Sequence, residues 1–571
     1  MKLTDWNITK KDYIYLIIIL LFSLITIFYR LKFHMSGGIF SPDKALYLIN
    51  ALQYGGMDYY NIYNPGEITA SPILSFLTSL LFRIGIVNQV AISLVSAFFA
   101  ILGYIGLYLL LKRRFDSLLS FTGVIIFGSF SEILINLASG LTDLPSVSIS
   151  IWILLISIIA IDKNYKYFIY LFPLLVIGFF TRYTVGLMIP VILIYYLMKR
   201  NFIDNLILLM SDYSLVKNKL NNYINSQEFR YILISIFLAG IMTILIIKFL
   251  ILNFGGSLTF IEQSQNTFNG KQLEVKKTTD FLLDKLFYVK NFSKVLFNEE
   301  RPFNLLFVCF TYAILIIGLL IKFISIFKKL KIKFIQKSNT ICLLSLIVAL
   351  ICSFVGFEIF SNHMVSNIFL LISLLLFYYL FKEYSANKDN FAFFILYFGY
   401  FFINLIFISV YQIKVLRYAL PLLPAFIFFL ILALESILDY IKNKFNNNER
   451  DNEKGFSIVN IIPILIIVIL AISTISLIEP MEIEGYPNSL VDACNYIKTN
   501  DPNYHSKTFS SNNHNYRLIK WNLDTNVDYV NEKAKMLDLS NTTYIIDLKS
   551  HNYKNYHEIY NNSDYHIYYH N

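Results

Sequence analysis

Cysteine is scarce in this chain: four in 571 residues, with Cys309, Cys342 and Cys352 inside apolar runs and Cys494 alone near the end. No pair has CxxC spacing, which excludes a disulfide framework and a cysteine-ligated metal centre. Tryptophan is scarcer still, at positions 6, 152 and 521 with no two adjacent. Charged residues make up only 15% of the chain against 56% hydrophobic ones, and the mean hydropathy is +0.57. That balance excludes an ordinary soluble protein. The formal net charge is +10, yet the basic clusters are short and separated by apolar runs, so nucleic-acid binding is a poor reading. No small-residue cleavage site follows the first apolar run, which reads as an uncleaved anchor. No internal repeat is evident.

What fills the chain is long apolar runs. A membrane-spanning helix needs roughly 20 mostly apolar residues. About 13 such runs are present, near 13–30, 88–111, 117–135, 144–161, 167–181, 184–198, 229–252, 303–322, 338–355, 364–381, 391–411, 418–438 and 457–478. The shorter run at 72–86 reads as interfacial.

Lys and Arg set the orientation, because cytoplasmic loops carry their excess. With a cytoplasmic N-terminus, the inside loops hold Lys112-Arg113-Arg114, Lys199-Arg200, the stretch from Lys328 to Lys337, Lys382, and the stretch from Lys442 to Lys454. Alternating spans keep every one of these clusters inside, and the reverse orientation would put them all outside. The C-terminal tail is then extracytoplasmic, in a multi-pass protein of the cell membrane. The same placement gathers Asp43, Glu132, Asp143, Arg182, Glu358, His363, Lys414 and Arg417 on the outer face. Ionisable residues that close to hydrocarbon need a reason. Lys248 is the main intramembrane exception, and it too lies close to an outer span end.

Two regions outside the spans carry pattern. In the first external loop, about 31–87, Ala45, Leu46, Leu48, Ile49 and Leu52 have helical spacing. The spacing predicts an amphipathic helix beginning at Pro42-Asp43, with the proline in its first turn and the carboxylate favoured by the helix dipole. A second interfacial helix is expected from Ser71-Pro72 to Gly85. The tail, 481–571, changes character and reads as a small external α/β domain after a membrane domain spanning 1–480. Its expected elements are helices at 490–497, 515–521 and 532–537, with strands at 508–510, 528–530 and 544–547. Six of the eight histidines lie there, at spacings that match no metal motif, and read as solvated surface.

The segment from Phe40 to Tyr47, with Pro42-Asp43 at its centre, followed by Ala70-Ser71-Pro72-Ile73-Leu74, resembles the first external loop of membrane glycosyltransferases of the GT-C fold. It is most similar to their family 39 branch, which includes protein O-mannosyltransferases and the aminoarabinose transferase of lipid A. Ser139-Gly140-Leu141-Thr142-Asp143, Thr181-Arg182-Tyr183 and the stretch from Arg417 to Pro424 fit the same pattern in the same order. The chain departs from the family at one point: two adjacent acids are common there, whereas Asp43 is followed by Lys44, and Glu67 is the other acid in the loop.

The resemblance implies a mainly α, polytopic GT-C protein that transfers sugar, with inversion, from a polyprenyl- or dolichyl-phosphate-linked donor to an external acceptor, whether protein, lipid or polysaccharide. Such chemistry needs a base for the acceptor hydroxyl and cations for the departing phosphate. Asp43 is the expected base, weighed against a plain helix-capping aspartate. Arg182, Lys414 and Arg417 are the expected phosphate clamp, weighed against side chains that snorkel to lipid headgroups. Asp143, Tyr183, Tyr418 and Glu67 are expected to contact substrate. No cofactor is certain. Glu358 and His363 offer two ligands to a divalent metal, and two do not make a site. Three competing readings are a transporter or flippase, which would show repeats and broken midplane helices, a catalytically silent relative, and an oligosaccharyltransferase, whose WWDxG signature is missing here.

Overall fold

The computed structural model describes residues 6, 8–36, 41–57, 72–211, 222–254, 284–297, 302–327, 337–382, 388–411, 413–445, 458–478, 488–511, 516–529, 542–548, 553 and 555–570. In chain order the helices are α1 (Lys10–Ser36), α2 (Pro42–Tyr54), α3 (Pro72–Arg83), α4 (Gln89–Leu111), α5 (Ser117–Ser129), α6 (Ser131–Asn136), α7 (Asp143–Asp162), α8 (Phe168–Thr181), α9 (Met188–Lys199) and α10 (Phe202–Ser211). After these come α11 (Gln227–Ile246), short α12 (Phe287–Lys290) and α13 (Phe292–Leu296), then α14 (Pro302–Phe327), α15 (Lys337–Glu358), α16 (His363–Phe381), α17 (Lys388–Val410), α18 (Leu423–Phe445) and α19 (Ile458–Ile478). Two more, α20 (Asn488–Asn500) and α21 (Tyr516–Leu523), belong to the tail.

Among the described residues, nine helices are long and apolar enough to cross a membrane, and several shorter apolar helices accompany them. Every apolar run read from the sequence is helical, but not every run is one uninterrupted helix. The run at 117–135 breaks at Phe130, whose φ of −68° and ψ of 137° end α5 and start α6. The run at 229–252 leaves α geometry at Ile247–Ile251 for a π-helical turn. The late run opens with a 3₁₀ turn over Leu416–Leu422 before α18.

Polar caps set several starts. Asn88 accepts from the Val90 N–H, Asp116 from Leu119, Ser226 from Phe229, and Asn362 from Met364 and Val365. Each satisfies an N–H that the first turn leaves without a partner. α7 sits at the centre, packed against α4, α8 and α9, with nearly every side chain buried. α11 and α14–α16 lie at the periphery, their apolar faces turned outward.

The tail holds a five-stranded sheet: β1 (Phe509–Ser511), β2 (Val527–Tyr529), β3 (Tyr544–Asp547), β4 (Tyr556–Asn561) and β5 (His566–His570), in the order β2-β1-β3-β5-β4. β1 pairs parallel with β2 and β3, and β5 pairs antiparallel with β3 and β4. Leu490, Cys494, Leu518, Ile519, Ile546 and Ile567 fill its core. The expected helix at 532–537 lies outside the described residues. β4 and β5 had no counterpart in the sequence reading. α21 packs against α2, so the sheet and the first-loop helix share one end of the bundle.

Candidate active site

α2 begins as the sequence predicts, with Ser41 as extended N-cap, Pro42 in the first turn and Asp43 beside it. The Asp43 carboxylate does not turn back to cap its own helix. Its Oδ2 accepts from Arg417 Nη2 at 3.0 Å, and its side chain is 46% exposed. Arg417 stands on the 3₁₀ turn that precedes α18. Its Nε also lies 3.7 Å from Oδ2 of Asp143.

Asp143 opens α7 and is 4% exposed. The preceding Gly140 has φ +75°, and a Cβ there would stand 2.9 Å from Ile92 and 3.1 Å from the Lys44 stem. Glycine therefore lets this turn close and aim Asp143. Oδ1 of Asp143 accepts from Arg182 Nη1 at 2.5 Å. Arg182 occupies an extended break, φ −160° and ψ 128°, between α8 and the 3₁₀ turn Tyr183–Leu187. The Tyr418 ring sits 4.9 Å from the Arg182 guanidinium and 5.7 Å from that of Arg417.

Four segments distant in sequence thus build one alternating line: Asp43, Arg417, Asp143, Arg182. Its charges balance, which is how so many ionised groups tolerate partial burial. The line borders a cavity of about 180 Å³ whose walls include Asp43, Tyr47, Asp143, Arg182, Tyr183, Asn404, Arg417 and Tyr418. Burial, with Asp43 nearby, pushes the Tyr47 phenol up to about 12. Tyr47 therefore enters the cavity as a neutral hydroxyl.

Among the expected residues, Asp43, Asp143, Arg182, Tyr183, Arg417 and Tyr418 come together here. Lys414 does not. Its ammonium donates to the carbonyls of Ile408, Ser409 and Tyr411 at 3.0, 2.7 and 2.5 Å. It is buried at the C-terminus of α17, satisfying carbonyls that the helix leaves open. Lys44, in place of a second acid, is also buried and donates to Ser93 Oγ at 3.2 Å. Glu67 lies outside the described residues. Glu358 is exposed and lies 3.9 Å from Lys285, whereas the His363 ring is buried 5.0 Å from that of Phe407. Among the described residues no three His, Cys, Asp or Glu side chains converge, so this pair gains no third ligand.

The sequence reading missed Tyr47 and Asn404. Tyr47 lies one helical turn after Asp43 on the same face. Asn404 is a lone amide in the apolar run of α17, and its Nδ2 donates to Tyr400 O at 2.8 Å. A polar side chain inside a span was the available signal.

Residues 69–216, which include Asp143 and Arg182, match the family model described as dolichyl-phosphate-mannose-protein mannosyltransferase. The structure is similar over 98% of both chains to the crystal structure of ArnT from Cupriavidus metallidurans bound to undecaprenyl phosphate, at 8% identity and a TM-score of 0.53. The fold is GT-C. The apo state of the same ArnT gives a TM-score of 0.54, again at 8% identity, over 97% of each chain. The archaeal oligosaccharyltransferase AglB from Archaeoglobus fulgidus, in complex with an inhibitory peptide and a dolichol-phosphate, gives 0.49 at 14% identity, over 94% of this chain and 69% of its own. No curated protein sequence matches the chain. The GT-C bundle therefore carries its alternating charges at the end where α2 and the tail sheet meet.

Proposed function

We propose that this protein is a membrane glycosyltransferase that takes a sugar from a polyprenyl- or dolichyl-phosphate donor and passes it, with inversion, to an acceptor on the extracytoplasmic face. The observation that carries this reading is the meeting of a half-exposed carboxylate and two guanidinium groups around one cavity of a GT-C fold. Asp43 takes the proton from the acceptor hydroxyl as its oxygen attacks the anomeric carbon. The bond from that carbon to the phosphate oxygen breaks, and the lipid phosphate leaves with the electron pair. Arg182 and Arg417 stabilise that leaving charge, a role for which the planar fork of arginine is suited. Asp143 orients both arginines, and Tyr183 and Tyr418 flank the sugar.

The Asp43–Arg417 pairing fits this scheme as an exchange. A donor phosphate that takes Arg417 frees the carboxylate, so the base becomes available as the electrophile arrives. The N-terminus lies in the cytoplasm, and residues 481–571 form an extracytoplasmic domain that contributes to acceptor recognition or covers the site, a placement supported by the packing of α21 on α2. The test is sugar transfer by purified protein across a panel of polyprenyl-phosphate sugars and cell-envelope acceptors, comparing wild type with Asp43→Asn. Transfer, or donor hydrolysis, that the folded variant loses supports the assignment. Transfer that survives removes Asp43 from the chemistry.

A further inference from the structure

Lys248 is used by nothing in the scheme above. It lies just beyond α11, in the π-helical turn Ile247–Ile251, on a span of which only 17% of the apolar window is buried. The neighbouring Ile244, Leu245, Phe249 and Leu252 are all exposed, so the lysine stands on an apolar surface that faces lipid. Its ammonium is 5.7 Å from the Phe249 ring, and no carboxylate pairs with it among the described residues. A cation in that setting is costly unless something anionic meets it.

Depth narrows what that is. The apolar run ends at 252, so Lys248 lies four residues, or about 6 Å of helix at 1.5 Å per residue, inside its outer end. The hydrocarbon layer is about 30 Å thick. In the orientation read from the sequence, the extended lysine stem therefore carries its ammonium up to the phosphate level of the outer leaflet.

The opposite side of the same turn faces the site. Ile246, Ile247, Leu250 and Ile251 pack with Ile73 of α3, Phe180 of α8 and Tyr183. Tyr183 lines the cavity. The Tyr54 hydroxyl donates to the Leu250 carbonyl at 2.6 Å, which ties the turn to α2, the helix of Asp43. π-turns recur at functional positions because they re-aim side chains within a helix.

We propose that Lys248 is the first protein contact of the donor's lipid phosphate, capturing it from the outer leaflet beside α11 before it passes Tyr183 into the cavity. This rests on the glycosyltransferase reading. The experiment uses the full chain in nanodiscs of phosphatidylcholine, with or without phosphatidylglycerol, and undecaprenyl and dolichyl phosphate as probes. Lys248→Gln should slow probe association and weaken apparent binding about fivefold. Lys248→Arg should keep both near wild type, and phosphatidylglycerol should compete in wild type but not in the glutamine variant. Equal association by wild type and Lys248→Gln would overturn the proposal. So would a phosphatidylglycerol-dependent rise in melting temperature that needs Lys248 while probe binding does not, since the lysine would then be an anchor for bulk headgroups. No probe binding by wild type in either lipid would overturn the glycosyltransferase reading itself, and this proposal with it.

Discussion

The two ends of the helix bundle handle charge in different ways. At one end, ion pairs act as pins between neighbouring helices and loops. Arg114 grips Glu435 through two bonds of 3.0 and 2.9 Å, Lys199 bridges Asp162 and Asp389, and Asp12 is held by Thr9, Tyr108 and Lys112. None of these residues borders the cavity of the candidate site. At the other end, Asp43, Arg417, Asp143 and Arg182 form a continuous alternating line along a cavity wall. Geometry, rather than the number of charges, separates a structural pin from a place where chemistry can happen. A pin ties one element to the next and borders no cavity that a ligand could enter. The line runs along a cavity wall, with Arg417 between two acids that both line it, so an incoming ligand can take the place of one partner.

The comparison predicts unequal effects. Arg417→Ala and Arg182→Ala should each cut transfer by about 10²–10³-fold, the loss typical of removing one preorganised charge stabiliser, read as kcat with the fold checked by circular dichroism. An effect below tenfold would put the site end in the same class as the pins. Asp143→Ala leaves two guanidinium groups without their shared carboxylate. Breaking such a buried pair costs about 3–5 kcal/mol, so melting temperature and activity should fall together, with Asp143→Asn intermediate in both. Arg114→Gln, at the opposite end, should lower the melting temperature by only about 1 °C, corresponding to about 1 kcal/mol for a partly exposed pair in a chain of this length, and leave kcat unchanged.

Lys414 tests whether a cation near the site can still be a pin. Burial pushes its ammonium down to about 8 from 10.5. Between those pH values the unfolded chain binds more protons than the folded one, so stability should rise with pH there. The melting temperature of wild type should therefore gain on that of Lys414→Met between pH 7.5 and 9.5. A gap that stays constant would remove the buried, proton-losing lysine from the account. The smallest effect concerns Cys494, whose thiol burial pushes up to about 12. It should resist maleimide in the folded protein at pH 7.5 and react once denatured. Prompt labelling would show the tail core to be open.

Much of the site was legible because charge at the end of an apolar run stands out. Asp43, Asp143, Arg182 and Arg417 were all found that way, and Pro42 marked the helix start that carries the first of them. Lys414 looked the same in sequence and was not part of the line. Nothing in the sequence says that the last carbonyls of α17 will claim a donor, because that need exists only once the helix has ended. Tyr47 and Asn404 were hidden for the opposite reason, being uncharged among many tyrosines and asparagines. The break at Phe130 carries no proline, and its residue type gives no warning. In the tail, β4 and β5 each carry two tyrosines and an isoleucine, which favour strands, but histidine, glutamate and asparagine break their apolar pattern, whereas Tyr544–Asp547 was plain.

The central claim is that Asp43 and the donor phosphate share Arg417 in turn. The measurement that addresses it most directly is polyprenyl-phosphate binding and sugar transfer by Asp43→Asn, assayed in parallel with wild type. If the exchange operates, the variant binds lipid phosphate at least as tightly as wild type, because a competitor for Arg417 is gone, and transfers no sugar. A variant that loses lipid-phosphate binding, or that keeps wild-type transfer, would contradict it.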